Sequence, residues 1–93
     1  MATVICRRYL VAGRVQGVGY RYFAARAASQ GGVRGWTRNL ADGRVEVLAA
    51  GTEVQLDSLE ARLRQGPPHA DLRSVRVEEA AAADVKIEGF HIK

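Results

Sequence analysis

Several kinds of protein are excluded by what this sequence lacks. Cys6 is its one cysteine, so no disulfide forms within the chain. No apolar run approaches the roughly 20 residues that a membrane span needs. The opening MATVICRRYLVAG is interrupted by Arg7 and Arg8 and does not read as a signal peptide. Histidine occurs only as His69 and His91, far apart and without an accompanying Asp/Glu grouping, so no metal-ligand pattern is present. Repeats, linkers and low-complexity tracts are absent apart from the short run Ala80–Ala83. With 93 residues the chain is expected to form one domain spanning 1–93 and to reside in the cytoplasm, with no membrane association.

What is present is unevenly charged. Eight arginines and a single acid, Asp42, occupy the chain up to Arg44, whereas six basic and nine acidic residues follow. The formal charge of +4 is therefore carried by the first half, which suggests an anionic partner, nucleic acid or a small phosphorylated molecule.

Apolar periodicity and glycine punctuation divide the chain. RRYLVAG (7–13) reads as a strand. Tyr20, Phe23, Ala24, Ala27 and Ala28 recur at helical spacing up to Gly31-Gly32. VRGWTRNL (33–40) and RVEVLAA (44–50) flank an Asp42-Gly43 turn and predict a hairpin. Thr52 and Gln55 form a capping-box pattern before a helix whose Leu56, Leu59 and Leu63 share a core-facing stripe, and Gly66-Pro67-Pro68 ends it. DLRSVRVEE (71–79) and VKIEGFHIK (85–93) read as two more strands. The order β-α-β-β-α-β plus a final strand predicts an α+β fold, a ferredoxin-like split βαβ sandwich. It has an antiparallel sheet of four to five strands with two helices on one face. In that topology the first two strands run parallel with the third between them. The loop 14–20, Arg21 and Asn39 then meet at one sheet edge.

GRVQGVGYR (13–21) stands at that edge, between a strand and a helix. Gly17 and Gly19 can turn successive backbone N–H groups inward, the helix dipole adds partial positive charge, and Arg21 supplies a forked donor. A cation at a helix start opposes the dipole unless an anion is there. The phosphate-loop pattern G-x-x-x-x-G-K-[ST] fails, because Val18 occupies the second glycine position. The dinucleotide pattern fails at Tyr22. Six residues before Arg21, where cysteine phosphatases carry their thiolate, stands Val15, so no covalent phosphocysteine can form.

GRVQGVGYR, followed by GWTRNLADGRVEV and then by GPPHADLRSVRVEE and FHIK, resembles the acylphosphatase family over nearly the whole chain. The resemblance implies hydrolysis of acyl phosphates to a carboxylate and inorganic phosphate, without a cofactor or metal. It also implies that Arg21 and Asn39 are catalytic and that Gln16, Gly17, Val18, Gly19, Tyr20 and Arg21 bind the phosphate. Tyr20 and Thr37 depart from the family's common phenylalanine and valine.

The residues suit that chemistry. An acyl phosphate expels a carboxylate, whose conjugate acid has a pKa of roughly 4, so its departure needs no general acid. Positioning and charge stabilisation remain for the protein to supply. Backbone N–H groups of 16–20 and Arg21 would hold the phosphate, and Asn39 would orient the attacking water. Asp42 reads as a turn residue, Trp36 as packing and Cys6 as a partly buried hydrophobe. Arg14, Arg38 and Arg44 either raise the positive potential at the site or lie on a solvated face. An RNA-binding sheet would carry stacking aromatics on its third strand, which RVEVLAA lacks, so no nucleic-acid partner is expected. The alternative is a regulatory domain that binds phosphate or carbamoyl phosphate without hydrolysing it. A monomer acting on small-molecule acyl phosphates is the expectation.

Overall fold

The computed structural model describes residues 3–81, 85 and 88–93. Five strands and two helices follow in the order β1 (Ile5–Arg14), α1 (Tyr20–Gln30), β2 (Arg34–Asn39), β3 (Val45–Gly51), α2 (Glu53–Gln65), β4 (Asp71–Ala80) and β5 (Phe90–Ile92). The sheet order is β4-β1-β3-β2-β5. β3 lies between β1 and β2 and is antiparallel to both, so β1 and β2 run parallel as the split βαβ topology requires.

The last strand corrects two expectations. β5 runs parallel to β2, with Gly35 opposite Phe90 and Thr37 opposite Ile92, so the sheet is mixed rather than wholly antiparallel. It is also shorter than 85–93. Within the described part of that stretch only Phe90–Ile92 is strand, while residues 86–87 lie outside the described residues, as do 82–83 of the alanine run. Hydrogen bonds from Gly35 N–H to the Gly89 carbonyl (3.0 Å) and from Lys93 N–H to the Thr37 carbonyl (2.8 Å) bracket the pairing.

Both helices lie where their apolar stripes place them. Tyr20, Ala24, Ala27 and Ala28 of α1 and Leu56, Leu59 and Leu63 of α2 are buried against Tyr9, Val11, Val45, Val47 and Ala49 of the sheet. The capping box of α2 is formed in both directions: Gln55 N–H donates to Thr52 Oγ1 (3.2 Å) and Thr52 N–H to Gln55 Oε1 (2.9 Å). Alternation along the strands puts Cys6, Leu48, Ala50 and Trp36 on the opposite face, where Val85 packs on them. No described helix is long and apolar enough to cross a membrane.

Two tyrosines fasten α2 to the rest of the core. Tyr9 from β1 donates its hydroxyl to the Leu56 carbonyl (3.1 Å), and Tyr20 from α1 donates to the Leu63 carbonyl (2.9 Å). Burial pushes the pKa of both hydroxyls above the ordinary tyrosine value. A group whose pKa is raised on folding contributes its stability fully below the unfolded value and loses it above. Tyr20→Phe should therefore destabilise by about 1–3 kcal/mol at pH 7, through the lost hydrogen bond and an orphaned carbonyl. The gap from wild type should narrow above pH ~10, where only the unfolded tyrosine ionises. Urea unfolding of both proteins between pH 7 and 11 measures this, and a gap that stays constant across that range contradicts it.

Candidate functional site

Cross-strand register places the two motifs side by side. Val11 of β1 and Asn39 of β2 both stand opposite Val45 of β3, one from each side. The C-terminal ends of β1 and β2 therefore share one edge of the sheet. There the chain leaves β1, forms the 15–19 loop and enters α1.

The loop alternates between anchors and open backbone. Val15 and Tyr20 are buried and Val18 packs against the core, whereas Gly17 and Gly19 are exposed. Both glycines are left-handed, at φ 75° and 79°, and a Cβ on either would meet nothing within 4 Å. The backbone here is thus bare as well as strongly turned. The Tyr20 ring lies in the core, so only its main chain is left to face this edge.

The two helices begin differently. α2 has its capping box and Glu53 in the first turn. α1 starts from Gly19 with no side-chain cap and no acid in its first turn. Its leading N–H groups have no intrahelical acceptor, and the positive end of its dipole has no counter-charge from the helix itself. A helix start of this kind favours negative charge beside it.

Arg21 lies at this helix start. Its Nη1 donates to the main-chain oxygen of Lys93 (2.9 Å), and Lys93 N–H in turn donates to the Thr37 carbonyl (2.8 Å). The Lys93 ammonium sits 4.2 Å from the centroid of the Trp36 ring. Through this relay the guanidinium is held beside β2, two residues from Asn39. Asn39 itself ends β2 on the helix-facing side, shared with buried Thr37, and is exposed. Among the described residues its side-chain amide makes no hydrogen bond within the protein.

Other candidates turn out to be engaged. The Gln16 side chain donates from Nε2 to the carbonyls of Leu40 (2.8 Å) and Arg44 (3.0 Å), so its backbone N–H is what remains for a ligand. Arg38 pairs through Nε with Glu46 Oε1 (2.6 Å) and lies over Trp36, and Arg8 takes the other Glu46 oxygen (2.8 Å). Arg44 pairs with Asp42 (2.8 Å). The Arg44 N–H and guanidinium hold the Asp42 carboxyl below its usual range, which marks Asp42 as the turn residue the sequence suggested. Arg14 is exposed at the end of β1. Glu46 and Lys93 were not found from the sequence. Arg38 does stand directly opposite Glu46 once the Asp42-Gly43 turn fixes the register, whereas no spacing signals Lys93. Among the described residues no three His, Cys, Asp or Glu side chains gather into a metal-binding group.

The chain is similar to known proteins over nearly its whole length. The acylphosphatase family model matches residues 7–92. An acylphosphatase of Koribacter versatilis is 51% identical over 94% of this chain and 78% of its own length. One of Solibacter usitatus is 55% identical over 94% and 88% respectively. The crystal structure of acylphosphatase from Bacillus subtilis superposes with a TM-score of 0.90 at 36% identity, covering 98% of this chain and 99% of the other.

The bare loop makes a specific energetic prediction. Gly17→Ala and Gly19→Ala should each cost about 1–2 kcal/mol, from the left-handed backbone alone. Unfolding midpoints in urea measure this. A loss well above that range would reveal a steric contact that the open surroundings do not contain.

Proposed function

The chain belongs to the acylphosphatase family, and we propose that its uncapped α1 start, Arg21 and Asn39 together hydrolyse acyl phosphates. The observation that carries this reading is the contrast between the two helix starts. The fold caps α2 twice over and leaves α1 open, at the sheet edge where β2 ends in Asn39, whose side-chain amide is unengaged among the described residues.

The phosphate of the substrate sits against the backbone N–H groups of residues 16–20, with the Arg21 guanidinium completing the cradle. Binding exchanges the Arg21 bond to the Lys93 oxygen for a forked, charge-assisted pairing with the phosphate. The Asn39 amide orients a water in line with the scissile bond. The water oxygen attacks phosphorus, the bond from phosphorus to the acyl oxygen breaks, and the carboxylate leaves with its electron pair. The proton of the water passes to the phosphate, since no protein base stands among the proposed groups. Catalysis then rests on positioning and on donors aimed at developing charge.

The regulatory alternative is not favoured, because relatives matched over most of their own length are named acylphosphatases. The same reading makes the protein a cytoplasmic monomer that acts on small-molecule acyl phosphates as one domain.

Asn39→Ala should reduce kcat roughly 100- to 1,000-fold, the range for losing one preorganised donor. Arg21→Lys should fail as well, because a single ammonium does not reproduce a fork of donors. Phosphate release from benzoyl phosphate at neutral pH, with a chelator present and folding checked by circular dichroism, provides the measurement. Wild-type turnover by a folded Asn39→Ala protein would sink the water-positioning role. A folded wild type that binds phosphate without releasing it from substrate would return the site to the regulatory reading.

A further inference from the structure

Gln16 lies in the loop yet directs its side chain away from the glycines, toward the β2–β3 turn. A primary amide carries two N–H donors on one nitrogen. Here that nitrogen is 2.8 Å from the Leu40 carbonyl and 3.0 Å from the Arg44 carbonyl. Leu40 directly follows Asn39, and Arg44 directly precedes Val45, the register partner of Asn39. The Arg44 carbonyl also accepts from Leu40 N–H (2.8 Å), which closes the turn. One side chain therefore holds both arms of the turn at the point where Asn39 leaves the sheet. Among the described residues, every hydrogen bond from the 15–19 loop to this hairpin comes from Gln16. The loop's other anchors, Val15, Val18 and Tyr20, point into the core. With both donors engaged, the side chain offers an anion only an acceptor oxygen.

We infer that Gln16 is a positioning residue for the hydrolysis: its amide locks the loop that cradles the phosphate to the turn that carries Asn39. This rests on the roles proposed above for Arg21 and Asn39. The phosphate is held by the loop and the water by the hairpin, so the approach of water to phosphorus depends on how firmly the two are joined. Misplacement by about 1 Å is enough to lose roughly a hundredfold in rate. Gln16 acts through Asn39, and its loss should leave phosphate binding almost unchanged.

The test uses two near-isosteric variants, Gln16→Met and Gln16→Glu, each alone and combined with Asn39→Ala. Benzoyl phosphate is the substrate and inorganic phosphate the competitive probe. Gln16→Met should lower kcat about ten- to hundredfold while the phosphate inhibition constant stays within about threefold. In the Asn39→Ala background the same change should cost less than about threefold, since groups that act as a unit are not additive. Gln16→Glu presents carboxylate oxygens to two carbonyls and should be impaired at pH 8. Protonation restores one donor, so its activity relative to wild type should recover toward pH 5. A phosphate inhibition constant weakened in step with kcat would overturn the inference and make Gln16 a ligand. Full additivity with Asn39→Ala would overturn it too, by showing that Gln16 acts independently of Asn39. Should Gln16→Met fail to fold, the pH dependence of Gln16→Glu decides, and a flat ratio to wild type rejects the role. If Asn39→Ala alone retains full turnover, the failure belongs to the hydrolytic reading and not to Gln16.

Discussion

β3 is buried along all seven of its residues, and the site exists because of where that strand lies. It pairs with β1 on one side and β2 on the other, so a single register fixes Val11, Val45 and Asn39 in one row across the sheet. Its helix-facing residues Val45, Val47 and Ala49 join the main core, and Leu48 and Ala50 join the smaller cluster behind. Glu46 is the one charge in this strand. It is only 6% exposed and takes Arg8 from β1 on one oxygen and Arg38 from β2 on the other. An acid that secluded is tolerable only when paired, and the pairing stitches the three strands together at the row next to Asn39.

The same pairing explains the basic first half of the chain. Arg7, Arg8, Arg38 and Arg44 all find carboxylates, three of them on Asp57 and Glu46 in the acidic second half. Much of the apparent positive excess is therefore internal complementarity between sequence halves. Arg21 is different, since its partner is a main-chain oxygen and not a side-chain carboxylate. A guanidinium beside an uncapped helix start concentrates positive potential at that edge of the sheet.

The fold was legible because its signals are local. Glycine and proline punctuation, the capping box at Thr52 and Gln55, and the leucine stripe each lie within a few residues of one another, and β1 to β4 and both helices appear within two residues of where those signals put them. The direction of β5 was not legible, because three residues carry no periodicity that separates parallel from antiparallel pairing. Within the site, the meeting of the loop and Asn39 follows from topology and could be foreseen. The engagement of Gln16 with Leu40 and Arg44, and of Arg21 with Lys93, could not. Each joins a side chain to a main-chain oxygen, an acceptor that every residue offers, so sequence distinguishes no partner.

The closing of the sheet by β5 also bears on how quickly the molecule can form. Apart from the β2–β3 hairpin, every strand pairing joins distant positions: Val11 with Val45, Arg14 with Asp71, and Gly35 with Phe90. Each must close a long loop, losing chain entropy before any pairing repays it. Topologies rich in such contacts fold orders of magnitude more slowly than helical bundles of comparable stability. During that search β2 has an unpaired edge, and its ladder groups are open to strands of neighbouring chains until Phe90–Ile92 docks. A three-residue strand thus covers the β2 edge from Gly35 to Thr37, and the same docking event brings Lys93 to Arg21.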